Sequence, residues 1–177
     1  MKSRDTTLLV LAGVATVSLA SAFLPRHPTN VEGPHLDVPA ILSSASSGPA
    51  GLGSIDGILA GSTGTIVAKG HAGHGHTLTV SRTEALTING WALGEDAQRG
   101  SMLVYRVDSG PWLSAEYGVS RPDVAQSMHR SDVAACGFFA RVPIATVAPG
   151  RHALVFALLV SGNRLETIDD PLPLVVR

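Results

Sequence analysis

The stretch "SMLVYRVDSGPWLSAEYGVSRPDVAQ", residues 101–126, decides the fold. Its first seven residues alternate, with Leu103, Tyr105 and Val107 on one face. That is the period of two of a β-strand. Residues 107–110, "VDSG", then supply a hairpin turn, with Asp108 bonding to the backbone and Gly110 free to take a positive φ. A second extended run follows over 111–117, where Tyr117 ends the strand and Gly118 turns the chain. Pro122 prevents a strand from running on. Asp123 and Gln126 have the spacing of a capping box, which predicts a short helical turn over 124–129.

The same texture extends in both directions. Upstream, extended runs are expected at 54–59, 64–69, 76–81 and 85–93. Downstream they fall at 137–144, 152–160, 165–168 and 172–177. In "HTLTVS" Leu78 and Val80 share a face opposite Thr77, Thr79 and Ser81, and Phe138, Ala140 and Val142 alternate in the same way. Short strands separated by Gly, Pro, Asp and Asn, with no long helical pattern between them, predict an all-β fold. The expected architecture is an antiparallel, Ig-like or fibronectin-III-like β-sandwich over 53–177. Pro149-Gly150 makes a tight turn with Gly150 at positive φ, and His152 opens a long apolar strand as a structural residue. Gly90 leaves space for a large ring, and Trp91 beside it belongs to the core.

Ahead of the domain stand two segments of different composition. Residues 1–22 run from a polar head with Lys2 and Arg4, through the apolar "LLVLAGVATVSLA", to a small-residue site at Ala20-Ser21-Ala22. That is the layout of a signal peptide, cleaved after Ala22. The alternative is a retained anchor over 8–24, a membrane tether that is short for a spanning helix of about 20 residues. Either reading places the remainder outside the cytoplasm. Residues 23–52 are rich in Pro, Ser and Gly and are expected to form a flexible linker.

Composition closes off several functions. A net charge of -1 provides no field for a polyanion, so a nucleic-acid partner is not expected. The single cysteine, Cys136, excludes an intrachain disulfide and a cysteine zinc site, and its apolar context predicts a buried, inert thiol. His71, His74 and His76 lie close together in "GHAGHGHT", but their spacing matches no familiar ligand set and the interleaved glycines preorganise nothing. They are candidates for weak, adventitious metal binding only. Asp96, Asp108, Glu116, Asp123 and Asp132 lie mostly at turns and give no sign of converging as a catalytic pair. Neither a G-x-S-x-G elbow nor a phosphate-binding glycine loop occurs. Trp112, after the Gly-Pro turn, can stack on a ligand. Arg121 can clamp the crossover through Asp123, Asp56 or loop carbonyls. With Glu116, these two residues make up the candidate binding surface.

The motifs "LTINGWAL", "VYRVDSGPWLSAEYGVSRPDVA", "GFFARVPIATVAPGRHALVFALL" and "PLPLVVR" occur in that order after "SIDG". Together they resemble an Ig-like β-sandwich module of bacterial envelope and secreted proteins. The pattern of that module runs G-W-A, V-D-G, Y-G-x-x-R-P-D-V, G-F and P-G-x-H. The likeness covers 53–177; Ser109 departs from it, standing where the pattern has glycine after V-D. The resemblance implies a non-catalytic module of unknown ligand, without cofactor, and brings no catalytic residue. The expected function is therefore an exported binding or interaction domain whose partner is an envelope protein or a glycan. A carbohydrate-binding module is the narrower alternative. A metal-dependent hydrolase using the three histidines is the least supported.

Overall fold

The computed structural model describes residues 42, 44–61, 65–69, 77–161 and 163–177, with the backbone alone at 65–69. All of them belong to one compact unit, Leu36–Arg177. The expected signal segment 1–22, most of the linker and the three histidines His71, His74 and His76 lie outside the described residues.

The protein is an all-β sandwich. One sheet has the order β1-β11-β10-β6-β7, with β4 also pairing to β11, and the other has the order β3-β2-β5-β9-β8. The strands are β1 (Ser46–Ser47), β2 (Leu52–Ala60), β3 (Thr65–Lys69), β4 (Leu78–Val80), β5 (Leu86–Leu93), β6 (Met102–Val107), β7 (Leu113–Ser114), β8 (Glu116–Val119), β9 (Gly137–Val142), β10 (Gly150–Val160) and β11 (Arg164–Val176). A helix, α1 (Pro122–Ser127), and a 3-10 turn, Ser131–Val133, lie between β8 and β9. Most pairs are antiparallel, but β1 and β4 both run parallel to β11, near its two ends.

Alternation builds the interior as expected. Leu78, Val80, Leu103, Tyr105, Phe138, Ala140 and Val142 all enter the main core between the sheets, and Val107 packs against it. The Tyr105 hydroxyl donates to the Arg141 carbonyl at 2.6 Å, tying β6 of one sheet to β9 of the other. Gly90 makes room for Phe138: a Cβ there would come within 2.9 Å of that ring and 2.1 Å of the Ser54 carbonyl oxygen. Two smaller clusters coat the outer faces. Leu93, Val124, Ala125, Val133 and Cys136 form one, under α1 and the 3-10 turn. Met102, Val104, Ala157 and Leu159 form the other, with Leu42, Ala45, Trp112 and Leu165 packed on it.

Several expectations are corrected. The run 111–117 is not one strand: Ser114 pairs with Val104 in the first sheet, while Glu116 pairs with Phe139 in the second. Ala115 is the crossing point, with its N–H donated to the Leu103 carbonyl. Tyr117 does not end the strand, because β8 continues to Val119 through an irregularity at Gly118, whose φ is +100°. Runs 165–168 and 172–177 are a single strand, β11, whose register against β10 shifts between Leu154 and Phe156. Asp169 takes φ 60° where β11 makes this irregular step. The linker range 23–52 already contains β1 and the first residue of β2, since Ser46 and Ser47 find backbone partners on the edge of β11.

The capping box does not form. The helix starts at Pro122 with Arg121 as N-cap, and no side chain caps it, because the Asp123 carboxylate is taken by the Arg121 guanidinium. Proline at the first helical position costs no hydrogen bond, which explains the earlier start. Trp91 is only half-buried, and it faces the outer cluster rather than the main core. In the β6–β7 turn Asp108, not Gly110, takes the positive φ, at 52°. Gly150 does take one, at 141°.

Candidate functional site

The hairpin edge is built by strand alternation. Met102 and Val104 point to the outer face of the first sheet, and Arg106 is the next residue of that series. Across the turn Trp112 precedes the pair Leu113–Tyr105 and so comes opposite Arg106. The Arg106 guanidinium carbon lies 4.4 Å from the centroid of the Trp112 ring, a cation–π contact worth about 0.5–2 kcal/mol depending on desolvation. Arg106 Nε is buried with no acceptor among the described residues, so the ring face compensates part of its lost hydration. Trp112 is half-buried, and Leu113 beside it keeps 37% of its surface exposed at the sheet edge. The sequence reading identified Trp112 but missed Arg106. The signal available was its place two residues beyond Val104, on the same face.

Arg121 belongs elsewhere. Its Nη1 donates to Asp56 Oδ2 on β2, while Nε and Nη2 donate to Asp123 Oδ1 and Oδ2 at 2.9 and 2.6 Å. Its backbone N–H donates to the Ala134 carbonyl. A Cβ on Gly137 would lie 2.8 Å from its Cγ, so the glycine accommodates the arginine stem across β9. The hydrogen bonds to Asp123 first, then those to Asp56, push its pKa further up, against the opposing effect of burial. Asp123 is correspondingly held below the usual carboxylate range, chiefly by Arg121. This is the clamp expected of Arg121, and it fixes the β8–α1 crossover to the second sheet. Trp112 packs on the outer face of the first sheet, so the two residues have no partner in common. Glu116 stands exposed on β8, paired through its backbone with Phe139.

Other charged groups are likewise engaged in fixing turns. Arg130 holds Asp132 and donates Nη1 to the Ala97 carbonyl. Asp96 accepts from the Gln98 N–H. Glu166, fully buried, accepts from Arg164 through Oε1 and from the Glu95 N–H through Oε2 at 2.7 Å. Cys136 is buried, and burial pushes its thiol pKa up, away from the nucleophilic form. No group of three His, Cys, Asp or Glu side chains placed to hold a metal occurs among the described residues.

No protein-family model matches the chain, and no curated protein matches it. Among solved structures, it is similar to an endo-beta-1,4-mannanase from Thermotoga petrophila, with 9% identity and a TM-score of 0.42 over 72% of this chain. The chain spans 20% of that enzyme's length. A likeness at that distance says nothing about activity.

Proposed function

We propose that this protein is an exported, non-catalytic binding module of the cell envelope. Its contact surface is the outer face of the hairpin edge, formed by Trp112 and Arg106. The observation that carries the proposal is the half-buried indole of Trp112 set on the Arg106 guanidinium at the edge of the first sheet. Tryptophan and arginine together are the residue types in which binding energy concentrates, and here they stand ordered before any partner arrives. The charged, apolar and small-residue layout of residues 1–22 supports export. The non-catalytic reading is supported by the carboxylates Asp108, Asp123, Asp132 and Glu166, each of which is paired with His152 or an arginine. The partner is an envelope protein or a glycan.

Binding is to be measured against oligosaccharides, peptidoglycan fragments and envelope proteins, by tryptophan fluorescence and by pull-down. Trp112→Ala is expected to weaken it at least tenfold, about 1.4 kcal/mol or more. Arg121→Lys, which keeps the charge, is expected to leave it unchanged. Equal binding by wild type and a folded Trp112→Ala protein would sink the proposal. Quenching by oligosaccharides alone would narrow it to carbohydrate recognition.

A further inference from the structure

His152 and Asp108 join two connections of the sandwich, and the chemistry of that joint depends on a proton. His152 Nδ1 lies 2.7 Å from Asp108 Oδ2, and His152 Nε2 lies 2.8 Å from the Ala148 carbonyl oxygen. Asp108 belongs to the β6–β7 turn and Ala148 to the connection before β10. A carbonyl can only accept, and so can an ionised carboxylate. A neutral imidazole has one N–H and can satisfy only one of them. The doubly protonated ring satisfies both.

We infer that His152 is held as an imidazolium at neutral pH and that its deprotonation unfastens the β6–β7 turn from the connection preceding β10. Several features make this joint a switch rather than a simple ion pair. The other Asp108 oxygen accepts the Ala153 N–H at 2.8 Å, and the Asp108 N–H donates to the Ala153 carbonyl at 2.8 Å. The same aspartate is in the left-handed region, at φ 52°, a conformation that needs such support. The carboxylate therefore keeps its place on β10 when the ring loses its proton, while one of the two ring contacts must be given up. Gly150, at φ 141°, brings the chain from Ala148 round to His152, and a Cβ there would lie 3.8 Å from Nε2.

The surroundings contribute little else. On β11 the residue opposite His152 is Leu174, which carries no charge, and Asp108 is the charged group set against the ring. Arg151, the adjacent residue on β10, points to the opposite face. The hydrogen bond to Asp108, then that to Ala148, hold the histidine pKa above its ordinary value, and the same contact with His152 holds Asp108 below its own. The histidine contribution is thus complete below the unfolded-state pKa near 6.5 and is lost as pH rises through the higher folded value. The aspartate contribution is complete above about 3.9 and is lost as pH falls through a value lower still. The joint is strongest in mildly acidic solution. The inference holds whether or not Trp112 contacts a partner.

The test is an NMR titration of the full chain. At pH 7 both ring nitrogens of His152 are expected at protonated ¹⁵N shifts, with a midpoint above the free-histidine value. Asp108→Asn is expected to move that midpoint down. Across the titration the Val147 amide, bonded to the Ile144 carbonyl in the connection before β10, should lose hydrogen-exchange protection beyond the intrinsic base-catalysed rise, and in His152→Gln this extra loss should vanish. A single neutral tautomer at pH 7, or protection unchanged through the midpoint, would overturn the inference. If Asp108→Asn does not fold, the wild-type ring spectrum and exchange profile decide alone.

Discussion

Gly90 is a residue at which the sandwich tolerates little. A methyl group there would lie 2.1 Å from the Ser54 carbonyl oxygen, which the β2–β5 ladder holds in place, and 2.9 Å from the Phe138 ring. Gly90→Ala is expected to lower stability by about 3 kcal/mol, read as an earlier urea midpoint at unchanged slope. Ala97 presents the opposite case. Its φ of 55° puts an L-residue in the left-handed region, inside a turn closed by Gly94 and Gln98. Ala97→Gly should remove that strain and raise stability by about 1 kcal/mol, as a higher thermal midpoint. The two glycine–alanine exchanges thus have opposite signs, one set by crowding and the other by backbone angle. The crowding at Gly90 was legible in sequence as a space for a ring, because a glycine beside a mid-strand tryptophan suggests close approach. The strain at Ala97 was not legible, because alanine gives no sign of positive φ.

At the scale of elements, the instructive case is the run 111–117, divided at Ala115 between two sheets. Alternation fixes which face a residue takes but not which sheet its strand joins, so sequence patterning could not reveal the crossing. The β6 face, the β9 face and the turn at Gly150 depend on local pattern and were legible. The clamp of Arg121 on Asp123 and Asp56 was legible too, but not its consequence, that the Asp123 carboxylate so engaged leaves the helix without a side-chain cap. Arg106 was hidden because its partner lies across a hairpin. Arg121→Ala should therefore leave Asp56 without its cation and loosen the crossover. The side chains retain 21% and 33% of their exposure, so solvent moderates the cost to about 1–2 kcal/mol. The share due to Asp123 is present above about pH 3.9 and is lost as pH falls through its lowered folded pKa, so the difference between wild type and variant should shrink in strong acid.

For the whole molecule, the arrangement of three apolar clusters implies unequal stability. The main core joins both sheets, whereas Cys136 lies in a separate cluster whose cover is six residues of helix and one 3-10 turn. Such a cover, short and without a side-chain cap, belongs to the low-stability end of the opening spectrum. Cys136 reports on it directly, because the thiol is fully buried and burial raises its pKa, so that it reacts only when the cover lifts. Labelling by a thiol reagent is expected to be slowed roughly a thousandfold relative to the unfolded chain, an opening of about 4 kcal/mol. Its rate should rise with urea less steeply than global unfolding does, because only the cover exposes new surface. Arg121→Ala, which frees the N-terminal end of α1, should speed labelling about tenfold, matching the cost of about 1–2 kcal/mol, while the urea slope of labelling stays below the global one. If the cover and the main core instead open together, the labelling slope will equal the global slope. In that case the sandwich and its outer cap form one cooperative unit.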